Sequence, residues 1–173
     1  MTRSPLRTLD MAYIALFAVL TAVCAWIAIP AGPIPFTLQT FSVFLVLTTL
    51  GGRRGFYTVV VYLLLGAVGL PVFSSFQGGL GVLFGAAGGF LLGLLPAALI
   101  YRFAESRLPP LPACLLSLTI CYLSGIVWYL LFYSASTDLS TALRWCVFPF
   151  ILPDLIKTGL ALTVSRRLKP YLR

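Results

Sequence analysis

Asp154 and Lys157 stand three residues apart in the run Pro149-Phe150-Ile151-Leu152-Pro153-Asp154-Leu155-Ile156-Lys157, inside an otherwise apolar stretch. On a helix, residues three apart share a face, so this carboxylate and ammonium can pair. Ionisable side chains in apolar surroundings are costly and normally face a protein interior or a wet cavity, which makes the pair a candidate ligand contact. A structural ion pair that merely fixes the helix is the alternative. Pro153 suits a first helical position, where its missing N–H would be unpaired in any case, so the pattern predicts a helix that starts there. Asp154 would then occupy the first turn, where the helix dipole favours an ionised acid. A second group is Gly69-Leu70-Pro71-Val72-Phe73-Ser74-Ser75-Phe76-Gln77-Gly78-Gly79-Leu80-Gly81, a loop that mixes glycines, aromatics, two hydroxyls and an amide. Glycine lets backbone approach a ligand closely, and Gln77 can donate and accept hydrogen bonds. An ordinary turn would draw on the same residues.

Other chemistries lack their residues. There is no histidine, and the cysteines at positions 24, 114, 121 and 146 form no CxxC pair, so zinc, haem and iron–sulfur sites are not expected. Cys114 and Cys121 could share a helix face but read as small packing residues. No G-x-x-x-x-G-K-[ST] is present to cradle ATP, and no G-x-G-x-x-G follows a strand. Energy for any transport must therefore come from a gradient or a partner. Of the four acidic residues, Asp10 opens the first apolar run, Glu105 and Asp138 fall in loops, and Asp154 is the one placed for burial. An enzyme using Asp154 as base and Lys157 as electrostatic stabiliser would lack a nucleophile or metal set. The expectation is a binder with no catalytic residues, no metal and no cofactor.

The elements that must position these residues lie in a membrane. The chain has 173 residues, of which 60% are hydrophobic and 9% charged, with a mean hydropathy of +1.03. That leaves too little polar surface for a soluble globule. A spanning helix takes about 20 mostly apolar residues. Apolar runs at 9–29, 36–50, 56–70, 82–101, 113–132 and 147–165 predict six spans in a single all-α membrane domain over residues 1–173. The second and third runs are short and would be bent or partly inserted. Arg3 and Arg7 precede the first run, Arg53 and Arg54 lie in the second connection, and Arg102 and Arg107 in the fourth. Arg166, Arg167, Lys169 and Arg173 follow the last. With six alternating helices all ten fall on one side and Arg144 alone on the other, which predicts both termini in the cytoplasm. The net charge of +8 is thus a topology signal, with lipid rather than nucleic acid as the surroundings. Two arginines before an apolar stretch also fit a signal peptide, but the stretch is long and further spans follow, so a retained helix is expected. Trp26, Trp128, Trp145, Tyr101, Tyr133 and Tyr171 fall near the proposed span ends, as interfacial aromatics do. Gly81, Gly85, Gly89 and Gly93, continued by Ala97, would form a smooth ridge on one helix for close packing. Ala18 and Ala22 form a smaller ridge that could meet another helix of this chain or a partner protein.

Four segments in order resemble the BioY family: Pro35-Phe36-Thr37-Leu38-Gln39, the loop from Gly69 to Phe73 ending in Gly78-Gly79, the segment from Gly85 to Gly89, and Pro153-Asp154-Leu155-Ile156-Lys157. These are biotin-binding S components of energy-coupling factor (ECF) transporters. The resemblance implies six helices in the S-component fold, high-affinity biotin capture and uptake at the plasma membrane, and no covalent chemistry. It also implies a transmembrane coupling subunit and two cytoplasmic ATPase subunits as partners. Carried over by residue, Asp154 and Lys157 match the pair that contacts the biotin head group, with pairing of Lys157 to the vitamin's carboxylate as the alternative, and Gln39 matches a glutamine of the first outer loop. Gln77 stands where relatives can carry asparagine. Phe73, Gly78 and Gly79 are expected in the same outer site, where, on the chemistry of biotin, an aromatic such as Phe73 could cover the thiophane ring and chain. Ala18 and Ala22 would dock the coupling subunit. Ala86, Ala87 and Leu91 depart from the family, which often carries proline with a hydroxyl residue and, in some members, an arginine at the last position. Alternatives are an S component for another vitamin, a small membrane enzyme, or a purely structural subunit.

Overall fold

The computed structural model describes residues 7–30, 34–133 and 139–172; Arg3, Asp138 and Arg173 lie outside them. The described chain is almost wholly helical: α1 (Thr8–Trp26), α2 (Gln39–Leu50), α3 (Gly52–Ala67), α4 (Leu80–Leu83), α5 (Gly88–Ala104), α6 (Pro110–Phe132), α7 (Leu139–Cys146) and α8 (Phe148–Leu168). Each of the six apolar runs contains one long helix. Three described helical stretches, Thr8–Trp26, Pro110–Phe132 and Leu139–Tyr171, are long and apolar enough to cross a membrane by length and composition.

The helix that sits at the centre is the shortest of the six. Every residue of α2 from Ser42 to Leu50 is buried, and a helix apolar all round belongs inside a bundle. At about 1.5 Å per residue its twelve residues reach only about 18 Å, well short of the roughly 30 Å hydrocarbon layer. A hairpin of strands β1 (Ala28–Ile29) and β2 (Phe36–Thr37) makes up length at one end, pairing Ala28 with Thr37 and Ile29 with Phe36. At the other end Gly51, at φ +82°, reverses the chain directly into α3. A Cβ on Gly52 would stand 2.5 Å from the Arg102 Cα, so the start of α3 lies hard against the end of α5.

The glycine ridge is divided between two helices. A Cβ on Gly88 would lie 1.9 Å from the Leu83 carbonyl oxygen, so the chain breaks between α4 and α5 in a tight turn. Gly89 and Gly93 do serve close packing, since their Cβ positions fall 2.1 Å from Trp128 Cβ and 2.8 Å from Ser124 Cβ on α6. Gly81 has open space around it and Gly85 only its own turn; both face a cavity instead. Ala18 and Ala22 are likewise internal, 1% and 4% exposed, in the core cluster that α1 shares with α2 and α3. The exposed stripe of α1 is carried by Leu16 and Val19.

The basic helix ends gather at one end of the bundle. Arg54 at the start of α3 pairs with Asp10 of α1 at 2.6 Å, and Glu105 at the end of α5 accepts the Gly52 N–H at 2.7 Å. Asp10 is thus buried, against the expectation that only Asp154 would be, because Arg54 reaches it across two helices. Arg7 and Lys169 line the same end.

Candidate binding site

The opposite end opens into a cavity of about 480 Å³, within the range of small-molecule sites, about 300–1,000 Å³. Its walls come from the N-terminal end of α2, the loop after α3, the break between α4 and α5, the middle of α6 and the first turns of α8. Asp154, Lys157, Gln39 and Gln77 all line it, although they come from three separate stretches of sequence.

Local sequence explains how α8 delivers its pair. The helix begins at Phe148 with Pro149 in its first turn, five residues before the predicted start, and runs through Pro153. An internal proline withholds the N–H that would bond the carbonyl four residues back. Asp154 therefore lies in the second turn, and its stabilisation comes from side chains rather than from helix-terminal N–H groups. Lys157 Nζ donates to Asp154 Oδ1 at 2.9 Å and Tyr122 Oη donates to Asp154 Oδ2 at 2.6 Å. The ammonium also donates to the Thr37 carbonyl at 2.7 Å and lies 3.8 Å from the Phe36 ring centroid. Asp154 and Lys157 are 3% and 5% exposed, yet each has strong partners, the condition under which a buried charge persists.

The neighbouring wall is built from α2. Gln39 opens that helix, and its backbone N–H is held by Thr37 Oγ1 at 3.3 Å. Its side-chain Nε2 is buried without a hydrogen-bond partner. An unsatisfied buried donor costs about 1–3 kcal/mol, and the residue that carries it lines the cavity. Val43, Phe44, Leu91, Leu94 and Phe150 supply apolar wall, and Phe150 stacks on Phe36 at 5.8 Å between centroids.

The loop after α3 divides into a lining part and a scaffold part. Ser74, Ser75 and Gln77 line the cavity. Phe73, Gly78 and Gly79 do not, and the expected aromatic cover from Phe73 is absent for a packing reason. Its ring is fully buried, edge-on to Tyr62 at 5.6 Å, in space that a Gly66 side chain would otherwise fill. Gly78 passes so close to the Leu70 carbonyl that a Cβ would lie 2.1 Å from it. Gly79, at φ +94°, donates its N–H to the Gly66 carbonyl at 2.7 Å. Tyr62 and Trp26 pin the loop further through the Val72 and Pro71 carbonyls at 3.1 and 2.7 Å. These residues hold the rim in place from behind.

Two features of the site escaped the sequence reading. Tyr122 looks like one more packing aromatic in an apolar run, although a hydroxyl at mid-span must find a partner. Helix α7 was not expected. Its Ala142 and Cys146, together with Ile34, Ile126, Tyr129, Val147 and Phe150, form a second small core that closes the cavity on that side. Ala142, Leu143 and Cys146 carry the short helical periodicity that could have revealed it. Among the described residues no group of three or more His, Cys, Asp or Glu side chains could hold a metal ion.

The comparisons with known proteins bear on the family and the fold. The family model described as the BioY family matches residues 1–173. A biotin transporter BioY of Thermotoga maritima is 43% identical over 158 residues, covering 89% of this chain and 92% of the relative. A probable biotin transporter BioY of Pyrococcus horikoshii is 34% identical over 164 residues, covering 95% and 98%. Among solved structures, the crystal structure of the S-component for biotin from an ECF-type ABC transporter superposes with a TM-score of 0.84 at 25% identity, covering 93% of this chain and 90% of that one.

Proposed function

The chain belongs to the BioY family, and from that premise we propose that its cavity captures biotin on the outer face of the plasma membrane for uptake. The observation that carries the reading is the buried, neutralised Asp154–Lys157 pair in the same cavity lining as Gln39, whose Nε2 lacks a partner. A ureido ring offers two N–H donors and one carbonyl acceptor. An ionised carboxylate has about four lone-pair sites, of which Lys157 and Tyr122 use two, leaving acceptors for the ureido N–H groups. Gln39 Nε2 is the matching donor for the ureido carbonyl. The thiophane ring and chain then lie on the wall of Phe44, Leu91, Leu94 and Phe150, and the rim amide of Gln77 meets the outer part of the ligand.

In this reading the arginine-rich end faces the cytoplasm, in keeping with the positive-inside rule. Biotin is bound and released unchanged. An ECF coupling subunit and ATPase subunits would supply the energy, since the chain has no nucleotide motif of the Walker type. Mass spectrometry of ligand released from detergent-purified protein, followed by titration of the emptied sample, tests the substrate. Recovered biotin with saturable rebinding is expected; folded protein that neither carries nor rebinds biotin would refute the reading.

A further inference from the structure

Among the described residues the cavity contains one cation, Lys157, and that cation is already committed. An ammonium has three N–H donors. Lys157 spends two on Asp154 Oδ1 and the Thr37 carbonyl and lies over the Phe36 ring. Its pair with Asp154 is neutral, and no other Lys or Arg lines the cavity among the described residues. Ala86, Ala87 and Leu91 give the wall uncharged, apolar surface. At the rim, Ser75 and Gln77 are exposed and uncharged. Arg144 on α7 is exposed and outside the lining.

A ligand carboxylate buried at the closed end would meet the like charge of Asp154 with no free cation to offset it, and an unpaired buried charge is prohibitively costly. Its one favourable position is the rim, in water, with the Ser75 hydroxyl and the Gln77 amide as donors. We propose that this site spends its charged groups on the ureido head and is indifferent to the charge of the ligand's tail, so that it takes uncharged amides of biotin almost as well as the free acid. The inference rests on the biotin reading and extends it to a wider ligand class.

Parallel titration of the emptied, full-length protein with biotin and with biotin primary amide tests it. The two affinities should agree within about fivefold, the most that an exposed charge contact contributes. A desolvated charge pair with the tail would instead favour the acid by at least about thirtyfold, so a preference above about tenfold overturns the proposal. Gln77→Lys adds a cation at the exposed rim and should create a two- to fivefold preference for the acid, in the range of exposed ion pairs. An unmoved ratio would place the tail elsewhere and contradict the proposal. Arg144→Gln should leave the ratio unchanged, and a selective loss of acid binding would assign the tail to Arg144 and overturn it. Binding of the acid alone defeats only this inference, whereas binding of neither compound defeats the biotin reading beneath it.

Discussion

Asp154 is held on both oxygens, by Lys157 on one side and Tyr122 on the other, and this double restraint fixes where its remaining lone pairs point. Hydrogen bonds to charged groups contribute about 1.5–3 kcal/mol. Tyr122→Phe is therefore expected to weaken biotin binding roughly tenfold while the protein stays folded, and titration beside a thermal melt checks both. Unchanged affinity would show that Tyr122 does not position Asp154. Gln39 makes the opposite trade, because its buried amide lacks a partner. Gln39→Leu removes an unsatisfied donor costing about 1–3 kcal/mol, so the melting temperature should hold or rise while biotin affinity falls. Loss of stability without loss of affinity would contradict a ligand role. The pairing and burial of Asp154 and Lys157 were legible in the sequence because opposite charges three residues apart in an apolar run share a helix face. Tyr122 was not, since a tyrosine satisfies both packing and hydrogen bonding. Phe73 was misplaced because nothing in its loop reveals that Gly66 leaves a slot for the ring.

At the scale of elements, the cavity exists because several helices are short or broken where a ligand could enter. The closely packed α5–α6 seam supports that arrangement. Gly89 meets Trp128 Cβ and the Ser124 carbonyl, and Trp128 Nε1 in turn donates to the Gly85 carbonyl at 3.1 Å across the break before α5. Gly89→Ala should force the seam apart, since overpacking costs about 1–3 kcal/mol. A lowered melting temperature with weaker binding is the expected result; a melt equal to wild type would contradict the close packing. Hydrophobic runs located all six long helices, and glycine spacing identified the seam. The break between α4 and α5 stayed hidden because four-residue spacing fits an unbroken helix as well, and the contact of Gly88 with the Leu83 carbonyl is visible only in three dimensions. The start of α8 was misjudged because two prolines, Pro149 and Pro153, compete for the same helix-start signal.

For the molecule as a whole, charge sorting separates two ends: an arginine-rich end tied by Asp10–Arg54 and Glu105–Gly52, and an open end built around a neutral buried pair. The ridge of Ala18 and Ala22 serves the interior of this bundle, so Ala18→Leu should lower both folded yield and biotin binding. Impaired uptake with wild-type binding would instead restore the docking role that their spacing first suggested. The class of fold could be read from composition and run lengths because the bilayer allows few solutions. Which small residues face inward could not, since a stripe of alanines fits an internal or an external helix equally well. The proposed biotin site is the Asp154–Lys157 cavity. Its most direct test is biotin titration of emptied wild-type protein and of Asp154→Ala in parallel, with folding followed by circular dichroism. Truncating one partner of a buried charge pair leaves the other unpaired, at a cost that in binding terms is at least about thirtyfold. Saturable binding by the wild type and a loss of that size in the folded variant are predicted, and equal affinity in the two proteins would contradict the account.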